Sequence, residues 1–149
     1  MSLKQELVEE LTLILDSKIA SIKKDIELTQ KSANEETKSS MGDKYETGRA
    51  MAQNEKLKKQ SILNNFLLLK KTLIQITFND SEKIQFGSLV ALDQMNVFIS
   101  IALGEIEYKG NKYFCISPTT PLGKKLINKV KGDEIKLNKQ VQILKVQNA

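Results

Sequence analysis

Apolar positions between Leu11 and Ile76 fall into two stripes at helical spacing. Leu11, Leu15, Ile19, Ile22 and Ile26 form the first, and Ile62, Phe66, Leu69, Leu73 and Ile76 the second, each advancing by threes and fours as a helix seam does. Two helices packed antiparallel bring together residues whose numbers sum to a constant. Ile26 with Ile62, Ile22 with Phe66, Ile19 with Leu69 and Leu15 with Leu73 all sum to 88, and Leu11 with Ile76 to 87. The chain is therefore expected to fold back near residue 44, within Gly42-Asp43-Lys44-Tyr45-Glu46. The first helix should run from Leu3 to about Glu36 and the second from about Tyr45 to about Thr77. At about 1.5 Å of rise per residue, the roughly 32 residues from Leu11 to Asp43 make an arm about 48 Å long and, two helices abreast, about 20 Å wide. Beyond Ile26 the facing positions are Thr29, Gln30, Ala33 and Thr37 against Lys58, Glu55 and Met51, so small and polar contacts hold the distal third. That third is expected to be the most mobile part.

From Asn79-Asp80-Ser81 onward the period becomes strand-like. Lys83 to Leu92, Asn96 to Leu103 and Lys112 to Ser117 are rich in Ile, Val, Phe and Tyr, with turns at Asp93-Gln94-Met95 and Lys109-Gly110-Asn111. An antiparallel sheet follows. Thr120 is placed to cap a short helix with Pro121 at its first position, where a missing N–H is harmless, and Lys124 to Val130 would carry it. Gly132-Asp133 breaks that helix, and Glu134 to Leu137 and Gln140 to Val146 supply two more strands. The expectation is an α+β protein: residues 1–79 an antiparallel coiled-coil arm with an acidic tip at 42–46, residues 80–149 a small sheet domain with one short helix.

Composition narrows the chemistry. The chain has no histidine, which removes His triads, His bases and His metal ligands. Its one cysteine, Cys115, can form no internal disulfide and reads as a buried strand residue in a reducing compartment. No apolar run is long enough for a membrane span, and the acidic, helical start is unlike a signal peptide, so a soluble cytoplasmic protein is expected, and separately a monomer. The net charge is +5, but the 23 cations are interspersed with 18 anions. Thirteen cations against eleven anions lie up to Asn79 and ten against seven beyond it, so neither half reads as a phosphate-binding face.

Asp43 and Glu46 admit two readings. An acidic N-cap followed three residues later by glutamate is a capping box, both carboxylates bonding backbone N–H groups where a helix starts. Alternatively both carboxylates project from the tip and bind a divalent cation. Mg²⁺ takes an octahedral shell of oxygens and is usually held by one or two carboxylates plus substrate phosphates, so an exposed pair would have to share the ion with a partner. The readings compete, because oxygens engaged with N–H groups are less available to a cation.

Gly42-Asp43-Lys44-Tyr45-Glu46, followed by Ala50, Ala52 and Glu55, is similar to the glycine-aspartate-x-x-glutamate tip of the bacterial Gre transcript cleavage factors, which also lies between two long antiparallel helices. Phe86-Gly87-Ser88-Leu89-Val90 resembles the first strand of the Gre C-terminal domain. The stretch from Ile116-Ser117-Pro118 through Thr120-Pro121-Leu122-Gly123 to Leu126, with Gly132-Asp133-Glu134-Ile135 after it, resembles that family's C-terminal signature. The resemblance covers nearly the whole chain. It implies a coiled-coil arm on an FKBP-like domain and a bacterial RNA polymerase as partner, entered through its secondary channel, which the arm's dimensions suit. It also implies that Asp43 and Glu46 help hold a Mg²⁺ shared with the polymerase active centre and orient a water, with the nascent RNA 3′ end reached only indirectly. The polymerase itself then cuts backtracked RNA, so the chain would be a cofactor and no enzyme. Thr120, Pro121, Leu122 and Gly123 correspond to the loop nearest the docking surface; a plain helix cap is the alternative there.

The tip departs from the family's usual sequence. Tyr45 precedes Glu46 where a serine is usual, and Thr47-Gly48-Arg49 follows, placing Arg49 where it could pair with Glu46. A Gre-like regulator that occupies the channel without supporting cleavage is therefore a second expectation, and a coiled-coil adaptor unrelated to transcription a third. A prolyl isomerase is disfavoured, since five Phe, three Tyr and no Trp supply an aromatic pocket poorly.

Overall fold

The computed structural model describes residues 1–38 and 43–149, with side chains described for 1–31 and 48–149. Two helices, α1 (Leu3–Lys38) and α2 (Asp43–Ile74), precede six strands: β1 (Leu89–Leu92), β2 (Asn96–Ile99), β3 (Gly104–Tyr108), β4 (Asn111–Ile116), β5 (Glu134–Lys136) and β6 (Gln140–Gln147). A short helix, α3 (Pro121–Leu126), lies between β4 and β5. This is the α+β class read from the sequence. Packing divides the chain into two units, Leu13–Lys70 and a second made of Met1–Thr12 with Lys71–Ala149.

Within Leu13–Lys70 the two helices run antiparallel. Lys70 pairs with Asp16 at 2.5 Å, the Lys18 ammonium sits 6.0 Å from the Phe66 ring centre, and Lys59 and Lys56 donate to Thr29 (2.9 Å) and Gln30 (2.6 Å). Leu15, Ile19, Leu63 and Thr29 are buried here. On α2 the seam uses Leu63, while the neighbouring Ile62 is 45% exposed, a one-residue shift from the expected stripe. Both side chains are apolar and adjacent, so the pattern gives no basis for choosing between them. Distal to Ile26, Thr29 and Gln30 meet lysines instead of apolar partners, as expected. Such pairs contribute only about 0–1 kcal/mol each near the surface.

In the second unit the strand order is β3-β4-β2-β1-β6-β5. All pairs are antiparallel except β2 with β4, which is parallel, with Val97 opposite Phe114. The sheet is thus mostly antiparallel, as expected, and the one parallel pair departs from that expectation because β3 was not anticipated. Gly104–Tyr108 returns the chain as an edge strand, so β4 can lie beside β2 in the same direction. Val90, Val97, Leu92, Ile99, Ile143 and Leu126 of α3 share one core on one side of the sheet. Leu89, Phe98 and Cys115 align across β1, β2 and β4 and face the other way. Cys115 is buried, and desolvation pushes its thiol up to about 12, so it is an inert packing residue.

Two expected elements are shorter than their apolar content suggested. Lys83–Ser88 is not part of the sheet: Ile84 instead exchanges backbone bonds with Lys129 and Asn128 (both 2.8 Å). Gly87 then adopts a left-handed φ of +94°, where a Cβ would lie 2.9 Å from Ile76 Cγ2. For the same reason α3 stops at Leu126 and not near Val130. Asn128 turns left-handed (φ +70°), and the backbone beyond it is committed to Ile84.

A polar knot fastens this unit. The buried Asn148 donates from Nδ2 to the carbonyls of Ser81 (2.7 Å) and Lys83 (2.8 Å) and accepts from the Ser88 hydroxyl through Oδ1. Its carbonyl accepts from Asn79 N–H (3.0 Å) and from Lys4 Nζ (2.9 Å). Lys4 is itself fully buried, donates also to the Thr77 carbonyl, and lies 4.4 Å from the Phe78 ring centre. Nearby, Glu6 pairs with Lys109 (2.8 Å) and accepts from Tyr108 (3.2 Å); the Lys109 contact holds the Glu6 carboxyl below its usual range.

Burial without a carboxylate partner lowers Lys4 from 10.5 to about 8. The unfolded chain then binds more protons than the folded one between those values, so this group's contribution to stability rises with pH across that window. The cost of burying the charge is fully present below about pH 8. Wild type should gain roughly 2 kcal/mol on a Lys4→Met variant between about pH 7 and about pH 9.5, measured by urea unfolding at both. Parallel stability curves for the two proteins would contradict this.

Candidate functional site

The sequence placed candidate chemistry at two positions, and the structure reports on each separately. α1 ends at Lys38 and α2 opens at Asp43, so Asp43 and Glu46 both lie in the first turn of α2, three residues apart. Gly42 and the side chains of Asp43 and Glu46 lie outside the described residues. As a donor set they are two hard carboxylate oxygen ligands, of the kind Mg²⁺ takes and too few to complete its shell. Among the described residues no group of three or more Cys, Asp or Glu is placed to hold a metal.

The second position is fully described. Thr120 caps α3: its hydroxyl accepts from Gly123 N–H (3.1 Å) and donates to the Ser117 carbonyl (2.9 Å). Gly123 is buried so closely on the preceding loop that a Cβ would lie 2.6 Å from the Ser117 oxygen and 2.9 Å from Pro118 Cα. Leu122 packs on the sheet core. Pro121 is the exposed one of the four, beside the exposed Thr119, whose hydroxyl lies 2.8 Å from that of Ser117. Thr120, Leu122 and Gly123 thus have structural work of their own, and what this loop offers a partner is Pro121 with the two hydroxyls of Ser117 and Thr119. The sequence reading did not single out that hydroxyl pair, although a Ser-Pro-Thr-Thr-Pro run is a turn signal.

The apolar groove on the sheet, lined by Leu92, Met95, Phe114, Leu137 and Val141, contains a single aromatic ring. It lacks the aromatic walls that would grip a proline. Among the described residues no helix is long and apolar enough to cross a membrane.

Neither a protein-family model nor a curated protein sequence matches the chain. Solved structures do. The chain is 18% identical to GreA factor homolog 1 (Gfh1) of Thermus thermophilus, over 91% of this chain and 94% of that one, with a TM-score of 0.37. It is 19% identical to Gfh1 of Thermus aquaticus, over 89% and 91% of the two chains, again with a TM-score of 0.37. Over about nine-tenths of its length, then, the chain is similar to homologues of a Gre factor.

Proposed function

We propose that this chain is a Gre-like transcription elongation factor that binds bacterial RNA polymerase, reaches its secondary channel with the helical hairpin and stimulates cleavage of backtracked RNA. The observation that carries the reading is the position of Asp43 and Glu46 in the first turn of a 32-residue helix, with four residues between it and the end of a 36-residue one. Two carboxylates there can be carried into another enzyme's centre. The head motifs from Phe86 to Val90 and from Ile116 to Ile135 support it independently.

In this reading the chain holds no tight metal alone. Asp43 and Glu46 would each offer an oxygen to a Mg²⁺ shared with the polymerase and accept a hydrogen bond from the water beside it. When bound, that ion would supply the charge that makes the water nucleophilic and stabilises the departing oxygen. Pro121, with Ser117 and Thr119, would contribute to docking.

A second reading is favoured by Tyr45 and Thr47-Gly48-Arg49: a regulator that fills the channel without supporting cleavage. Adding the purified chain to stalled elongation complexes separates the readings. Binding with faster cleavage is the expected result; binding without cleavage supports the regulator. No binding at all points to a coiled-coil adaptor and overturns both.

A further inference from the structure

The net charge of the chain is concentrated in one stretch of its sequence. Between Lys124 and Lys145 there are seven lysines and two acids, a net of +5 equal to that of the whole chain, and the other 127 residues balance sixteen cations against sixteen anions. The four ion pairs among the described residues, Lys59–Glu55, Lys70–Asp16, Lys109–Glu6 and Lys112–Glu105, all lie outside this stretch. Of its two acids, Asp133 accepts from Val130 N–H (2.9 Å) and Glu134 is exposed.

The stretch forms one end of the sheet domain, from α3 through β5 to β6. Lys124 and Lys125 of α3 are exposed, and Lys125 donates to the carbonyl of Lys136, bringing the helix beside the edge strand. Lys129 is exposed where the chain leaves α3; Lys131 and Lys145 line one open cleft, where Asp80 and Glu82 face them, so the uncompensated charge lies on the α3 side. Part of this pattern has a simple structural cause, because β5 is a sheet edge and lysines there discourage pairing with other chains. That covers Lys136 and Lys139. Lys125 is tied to the Lys136 carbonyl and, with Lys124, lies in the last turn of α3, where a cation suits the helix end; neither role removes their charge from the surface, and Lys129 adds a third.

We infer that this end of the domain is a polyanion surface that contacts nucleic-acid phosphates without reading sequence. The residue types select that partner over an acidic protein. Protein interfaces enrich arginine and aromatic residues and deplete lysine, whereas residues 124–145 contain neither arginine nor any Phe, Tyr or Trp. Lysine is a point charge on a flexible stem, suited to a phosphate backbone and unable to discriminate bases by stacking or paired hydrogen bonds. This inference does not rest on the elongation-factor reading.

The test is fluorescence anisotropy of the full chain with a labelled single-stranded RNA of about 20 nucleotides, titrated between about 50 and about 200 mM salt. Binding should weaken with salt at a log–log slope of about −3, the value for about four phosphates. Lys124→Glu with Lys125→Glu and Lys129→Glu should weaken it at least about tenfold at low salt. The same charge change on the exposed Lys23, Lys24 and Lys31 of α1 should change it by less than about twofold. Circular dichroism would confirm that both variants are folded. No binding by wild type, equal losses in the two variants, or tighter binding to a polyglutamate of matched length would each overturn the inference.

Discussion

Replacing Asn148 with alanine should lower the free energy of unfolding by about 4 kcal/mol, read as a shift of the urea midpoint at unchanged slope. The side chain is buried, and each of its polar atoms has a partner on a different turn of the chain. Alanine leaves the Ser88 hydroxyl without its acceptor and the Ser81 and Lys83 carbonyls without their donor. Unsatisfied buried groups cost about 1–3 kcal/mol each, and water entering at the chain's edge recovers part of that. Ser88→Ala removes one of the three bonds, together with the one its hydroxyl accepts from Gln85 N–H (2.7 Å), and should cost about 2 kcal/mol. Similar effects of the two substitutions would contradict the hub, and so would a loss below about 1 kcal/mol for Asn148→Ala.

Gly123→Ala should destabilise by about 3 kcal/mol, because the new methyl meets main-chain atoms on both sides of the Ser117–Pro118 peptide and no side chain can swing away to admit it. Pro121→Ala, two residues back on the exposed face, should cost less than about 1 kcal/mol. The contrast separates two explanations of the Thr120 to Gly123 segment. If polymerase binding is lost with Pro121→Ala while stability holds, the loop docks. If only Gly123→Ala has an effect, and it follows stability, the segment is a helix cap closely packed on its own loop.

The two long helices were legible because a seam of threes and fours sustained over many turns admits few alternatives. The exact face of α2 was less so, since adjacent Ile62 and Leu63 satisfy the stripe equally well and only packing decides. β3 escaped notice because Glu105 and Glu107 alternate with half-buried Ile106 and Tyr108, the dilute signal of an edge strand. With β3 missing, the parallel pairing of β2 and β4 could not be anticipated either. Lys83–Ser88 carried strand-like residues, yet the backbone of Ile84 is taken by Asn128 and Lys129, more than forty positions along the chain, where local pattern has no reach. The lysines of residues 124–145 were hidden by counting charge across a boundary at Asn79; the imbalance begins at α3. Asp43 and Glu46 stand on motif and position alone, since their side chains lie outside the described residues.

The central claim is that these two carboxylates act together at a cation supplied by another enzyme. Its most direct measurement is the rate of RNA cleavage in stalled elongation complexes saturated with wild type, Asp43→Asn or Glu46→Gln, with polymerase binding measured on the same samples. Each substitution keeps size and hydrogen-bonding shape while removing one charged ligand, and should slow cleavage roughly tenfold to a hundredfold with binding unchanged. Cleavage stimulated equally by all three proteins at equal occupancy would contradict it.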